Sequence, residues 1–405
     1  MTMDSGVGTG EITVASIVRE KTSQAVGILD EMGIDLWLTF VRETSQVRDP
    51  VLDLLTGFDL TWLSALMIHR SGRRVAVVGR FDADNLRRLN AYDEVVAYDQ
   101  DIRPAMVDTI AALDPRQIAV NYAEDDPASD GLTHGLFLML SRFLESTPYA
   151  SRLVSAAPVV SALRGRKTSS EISLIRAAIE RTQEGIEMLA HEIRPGITDY
   201  EIADFLHRFV YDGGYGTAWE RDYCPVVTVG PQSAYGHAMP TGLTAEQGHL
   251  VHIDFGISYR GFVSDLQRVW YLSGGDRVPS EVEAAWQAVT RALETGRQAL
   301  RPGARGWEVD AVAREALLRA GYAEYMHAFG HQVGRTAHDG ATILGPKWER
   351  YGRSVDGIVE AGNVFAIELE VVLPDRGYVS REENVLVTED GASYLSDPQE
   401  ELWVI

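Results

Sequence analysis

The sequence predicts a mixed α+β chain, with an α/β domain up to about residue 155 and a larger strand-rich half after it. Three observations carry this reading. The first 155 residues alternate helix-like and strand-like patterns. From about residue 222 the pattern changes to short strands and hairpins. The 405 residues are 45% hydrophobic and 24% charged, an ordinary globular composition that excludes disorder as the main state.

The elements follow in order. Met1 to Gly10 is small and polar and reads as a flexible start with no secretory leader pattern. Residues 13–32 carry apolar residues at helical spacing (Ile17, Ala25, Ile28, Leu29) and stop before Gly33. Leu36 to Phe40 reads as a buried strand. Trp62–His69 and Arg73–Val78 flank the turn-like Ser71-Gly72 and predict a hairpin. Val95–Tyr98 and Gln117–Asn121 are further strands. Thr168-Ser-Ser-Glu171 and Thr198-Asp-Tyr-Glu201 are capping boxes that open helices. Residues 281–300 and 307–320 read as helices, and the remainder returns to strands. The expected domains are 11–155 and 156–405.

Charge narrows the partners. There are 37 basic and 59 acidic residues, for a net charge of -22. Such a chain repels phosphate backbones and anionic membranes, so no nucleic acid and no membrane is expected. The one cysteine, Cys224, cannot form an internal disulfide, which fits a reducing cytoplasm. It also excludes a thiolate zinc site.

The chemistry lies in oddly placed acids and histidines. In a hairpin centred between Tyr259 and Arg260, Asp254 and Asp265 would be directly opposed on one face. A second hairpin, turning at Pro374 to Gly377, would oppose Glu368 and Glu382. Glu368 sits in a strongly apolar strand, and burying opposed carboxylates without a cation is costly. His327, His331 and His338 crowd into twelve residues beside Gly330 and Gly334. Four carboxylates and an imidazole make a hard, oxygen-rich set. It suits two Mn²⁺ ions or similar divalent ions, and hydrolysis is their natural chemistry.

These residues resemble the metallopeptidase family with the pita-bread fold, which includes methionine aminopeptidase, Xaa-Pro aminopeptidase and prolidase. The motifs occur in family order: Asp254-Phe-Gly256, Ser264-Asp265-Leu-Gln-Arg268, Gly330-His331 to His338, Val364-Phe-Ala-Ile-Glu368 and Glu382-Glu383-Asn-Val-Leu-Val-Thr388. The resemblance covers roughly residues 160–400 in detail. It implies a C-terminal pita-bread fold and an N-terminal creatinase-like α/β domain. It implies Asp254, Asp265, His331, Glu368 and Glu382 as metal ligands, with Mn²⁺ first and Co²⁺ or Zn²⁺ as alternatives. Glu368 would double as proton carrier. His237 matches a histidine that faces substrate, His338 one that steadies the tetrahedral intermediate, and His327 a pocket histidine of proline-specific members. A homodimer acting on small peptides is implied as well.

Two departures stand out. Proline-specific members follow the first glutamate with Pro-Gly-Ile-Tyr; here the run is Glu368-Leu-Glu-Val-Val372. They carry Arg two residues before the second glutamate, where this chain has Ser380, while Arg381 points to the other face. Arg335, unusual in the histidine motif, is expected to contact a substrate carboxylate. The expected activity is Xaa-Pro dipeptide hydrolysis, with Xaa-Pro aminopeptidase as the alternative. A metal-free creatinase-like C–N hydrolase or an inactive binding protein fits the intact ligand set less well.

Overall fold

The structure, a computed structural model, describes residues 12–234, 236 and 239–405. The expected flexible start and His237 lie outside the described residues. The chain forms two compact units, one up to Leu163 and one from Arg164 to Ile405. No helix among the described residues is long and apolar enough to cross a membrane.

The first unit begins with helix α1 (Val14–Met32), capped by Thr13, whose hydroxyl accepts the Ser16 N–H at 3.1 Å. It ends at Gly33, whose φ of 68° suits a residue without a Cβ. Six strands follow: β1 (Leu36–Val41), β2 (Ser64–His69), β3 (Arg74–Gly79), β4 (Glu94–Tyr98), β5 (Ile118–Val120) and β6 (Leu153–Ser155). They form one mixed sheet in the order β4-β3-β2-β1-β5-β6. The expected hairpin is β2 with β3, paired antiparallel around Gly72. β1 is buried at all six positions because helices cover both sides of the sheet, in two separate apolar cores.

The second unit is built on a largely antiparallel sheet. Its helices α2 (Ser169–Ala190) and α3 (Asp199–Asp212) start at the two predicted capping boxes, with Thr168 and Thr198 accepting from Glu171 and Glu201. The main strands are β7 (Val226–Val229), β8 (Leu250–Phe255), β9 (Leu266–Tyr271), β10 (Gly330–Gln332), β11 (Val364–Leu373) and β12 (Gly377–Thr388). They run in the order β10-β11-β12-β9-β8-β7, with short strands added at the edges. Helices α4 (Ser280–Ala299) and α5 (Gly306–Arg319) share a core with β11 and β12, while α2 and α3 share another with β7 and β8. These two cores fix the four central strands, and the chemistry lies on those strands.

Candidate metal centre

One row of side chains crosses the four central strands. Glu368 on β11 lies opposite Glu382 on β12, Glu382 opposite Gln267 on β9, and Gln267 opposite Asp254 on β8. Directly opposed residues share a face, so the row points four polar side chains into one space. The Glu368–Glu382 pair is the expected one. The Asp254–Asp265 pair is not: Asp254 faces Gln267, and Asp265 sits diagonally. The cause is the turn. Arg260 and Gly261 both have positive φ, 51° and 80°, so the two-residue turn centres one position later than expected. Moving the centre by one residue shifts the register by two, which keeps Asp265 on the same face as Asp254. The two carboxyls still lie close enough to share a proton.

Asp265 is held where the chain passes from the large sheet into a small hairpin. Its N–H donates to Asn384 Oδ1 at 3.1 Å. The Ile257 N–H is shared by the hydroxyls of Thr182, on α2, and Ser264, each at 3.1 Å. Gly256 is required there, because a Cβ would lie 2.1 Å from the Ser264 carbonyl oxygen.

His331 enters from β10. Its Nδ1 lies 2.9 Å from the Ala337 carbonyl, which can only accept, so Nδ1 carries the proton and Nε2 faces the carboxylates. Nε2 is 3.7 Å from Asp265 Oδ2 and 4.0 Å from Glu382 Oε1. One ligand atom each from Asp265, His331 and Glu382 falls within 4.8 Å of the others. Atoms bonded at about 2.0–2.6 Å to a common ion lie within about 5 Å of one another. The loop after His331 is anchored by Asp339, buried against Arg164 and 3.1 Å from Lys167 Nζ. Burial works to raise the Asp339 carboxyl, but these two cations win and hold it well below the usual carboxylate range.

The electrostatics call for protons or a cation between these carboxyls. Burial first, then neighbouring charge, pushes the Asp254 carboxyl up to about 7 and Glu368 up to about 8. The same causes raise Asp265 and Glu382 well above the usual range. Asp254 Oδ1 and Glu382 Oε2 are buried with no hydrogen-bond partner. Orphaned carboxylate oxygens, four acids in one space and an imidazole lone pair aimed at them fit divalent metal ions.

The other expected residues sit around this centre. The His338 ring meets the His331 ring edge-on at 4.2 Å. His327 packs on Tyr325 at 5.6 Å, and Tyr325 hydrogen-bonds Glu368. Arg314 on α5 fixes that segment by donating to the His327 carbonyl at 2.7 Å. Arg335 lies over the Phe262 ring at 4.6 Å, beside the hairpin that leads to Asp265. Sequence reading passed over Gln267, Tyr325, His252 and Glu370. Glu370 falls two residues beyond Glu368 on the same face, opposite Ser380, and its charge helps to raise Asp254 and Glu368. Strand alternation was the available signal for Glu370; nothing local marked the others.

The profile describing metallopeptidase family M24 matches residues 173–389, more than half of the chain and all five candidate ligands. The chain belongs to metallopeptidase family M24. Among similar M24-type proteins, the Xaa-Pro dipeptidase of Pyrococcus furiosus is 30% identical over 246 residues, 60% of this chain and 66% of that protein. The solved Xaa-Pro dipeptidase from Bacillus anthracis superposes with a TM-score of 0.73 at 23% identity, covering 96% of this chain and 100% of that one. The X-Pro aminopeptidase from Thermotoga maritima gives 0.70 at 23%, covering 95% and 99%. These likenesses establish the pita-bread fold, and the family makes the chain a metallopeptidase.

Proposed function

We propose that this M24 metallopeptidase hydrolyses the Xaa-Pro bond of dipeptides at a dinuclear metal centre. The observation that carries the reading is the row of Glu368, Glu382 and Asp254, joined by Asp265 and His331, with orphaned oxygens on Asp254 and Glu382. Those five residues would hold two divalent ions, Mn²⁺ by preference. Bound there, such ions would supply a water of lowered pKa and a polarised scissile carbonyl. Glu368, buried and held as a carboxylate once cations replace its proton, would take up a proton from the attacking water and deliver it to the leaving proline nitrogen. His338, at the exposed side of His331, donates to the developing oxyanion. A substrate role for His237 is proposed from the sequence resemblance alone.

On this reading Arg335 binds the substrate carboxylate, which favours dipeptides over longer chains. Arg335→Leu should raise KM for dipeptides at least tenfold, and an unchanged KM would remove that role. The enzyme is further proposed to act as a homodimer in the cytoplasm. The decisive experiment adds Mn²⁺ and compares a Xaa-Pro dipeptide, a Xaa-Pro tripeptide and a dipeptide without proline. Cleavage of the first alone establishes a prolidase. Cleavage of the tripeptide makes it an Xaa-Pro aminopeptidase, the second reading favoured by the Thermotoga likeness. Cleavage of none overturns both.

A further inference from the structure

Gln267 is buried in the middle of the carboxylate row, between Glu382 and Asp254. Its Nε2 donates to Glu368 Oε2 at 2.9 Å, and Glu382 is its directly opposed neighbour on the adjoining strand. Its Oε1 accepts from the Ser380 hydroxyl at 2.6 Å and lies 3.1 Å from His252 Nε2. His252 Nδ1 is in turn 3.3 Å from the Thr228 hydroxyl. The orientation of the amide follows from chemistry. A metal-held Glu368 carboxylate only accepts, which places the nitrogen toward Glu368 and the oxygen toward the Ser380 hydroxyl and the His252 ring N–H, both able to donate.

Two features separate this amide from ordinary buried polar packing. Its donor reaches a carboxylate of the candidate ligand set rather than backbone. Its acceptor is held by Ser380, which stands where the proline-specific pattern carries an arginine. An arginine there would bring a positive charge and five donors; Ser380 and Gln267 present a neutral, singly oriented pair.

We propose that Gln267 is the positioning residue of this centre, fixing through its carboxamide the direction in which Glu368 presents its carboxylate, with Ser380 and His252 holding the amide in place. This rests on the metallopeptidase reading above. Gln267 takes up no proton and is placed against the Glu368 side chain, not in the substrate's path. It acts through Glu368, so its loss should appear in kcat and in metal affinity, not in substrate binding.

The test is Gln267→Met, which keeps the volume and removes both hydrogen-bonding functions. Mn²⁺ binding is measured by calorimetry without substrate, together with kcat, KM and the melting temperature in chelator. The expected result is a 10- to 100-fold loss of kcat, KM within about threefold of wild type, and Mn²⁺ affinity reduced about tenfold. Should Gln267→Met fail to fold, Ser380→Ala addresses the same amide from its other side. It should lower kcat about three- to tenfold, with Ser380→Thr restoring it. Unchanged kcat and Mn²⁺ affinity in a folded variant overturn the proposal. So does a loss confined to melting temperature or KM. A wild-type protein that binds no Mn²⁺ overturns the metallopeptidase reading instead, so the two failures are distinguishable.

Discussion

Glu382 and Glu383 are neighbours in sequence and opposites in chemistry, because β12 turns them to different sides. Glu382 faces the carboxylate row with one oxygen unpartnered. Glu383 lies behind it, 3.2 Å from Arg268 and 3.6 Å from Arg381, and also accepts from Ser396 at 2.7 Å and the Gln399 N–H at 2.9 Å. One is a buried acid without a cation; the other is fully compensated. Glu383→Gln should therefore destabilise the protein by on the order of 3 kcal/mol, because Arg268 would lose its charged partner. Glu382→Gln should abolish metal binding yet leave the metal-free protein as stable as wild type or more so. Thermal melts with and without chelator separate the two.

The metal-free protein should lose stability as pH rises. The folded pKa values of Asp254 and Glu368 lie near 7 and 8, above ordinary values of 3.8 and 4.5. Between those limits the folded state binds more protons than the unfolded chain, so unfolding becomes easier with rising pH. The contribution is fully present below about pH 4 and is lost through pH 7 to 8. Mn²⁺ displaces those protons and should flatten the slope. At a hundred times its Kd it adds about 2.7 kcal/mol. Melting temperatures in chelator that stay flat from pH 5 to 9 would contradict the shared-proton picture.

Glu368→Gln should reduce kcat by about 10²- to 10⁴-fold, the usual worth of a positioned proton carrier. It also removes a charge that raises Asp265 and Glu382. The metal-free variant should thus show a shallower loss of stability with pH than wild type. Retention of most activity would take the proton role away from Glu368.

Asp339→Asn tests the anchor of the histidine loop. The carboxylate neutralises the buried cations Arg164 and Lys167 and accepts the Arg335 N–H at 2.8 Å. Its removal should cost about 3–5 kcal/mol and weaken Mn²⁺ binding through His331. Because that carboxyl is held low, wild type should keep this contribution down to strongly acidic pH. A variant with normal stability and metal affinity would show the loop is fixed by other contacts.

Helices and strands were legible because their signals are local. Thr168 and Thr198 announced their helices through capping boxes, and Gly33 announced a helix end. The same local logic placed Glu368 against Glu382, since a short turn fixes a hairpin register. It misplaced Asp265 by two residues because the turn centre depends on which residues adopt positive φ, and Arg260 gives no such sign.

The sequence by itself determined the fold class, the family motifs and which face each acid occupies, because strand periodicity of two survives a register error of two. Only the tertiary structure decided the company those acids keep. Gln267 and Ser380 lie 113 positions apart, and Gln267 and Glu368 lie 101 apart, yet each pair is in hydrogen-bond contact. No local pattern encodes such a contact. It exists because β9, β11 and β12 are brought side by side by the cores beneath them. Burial then turns four ordinary carboxyls into a site that is stable only with protons or cations between them.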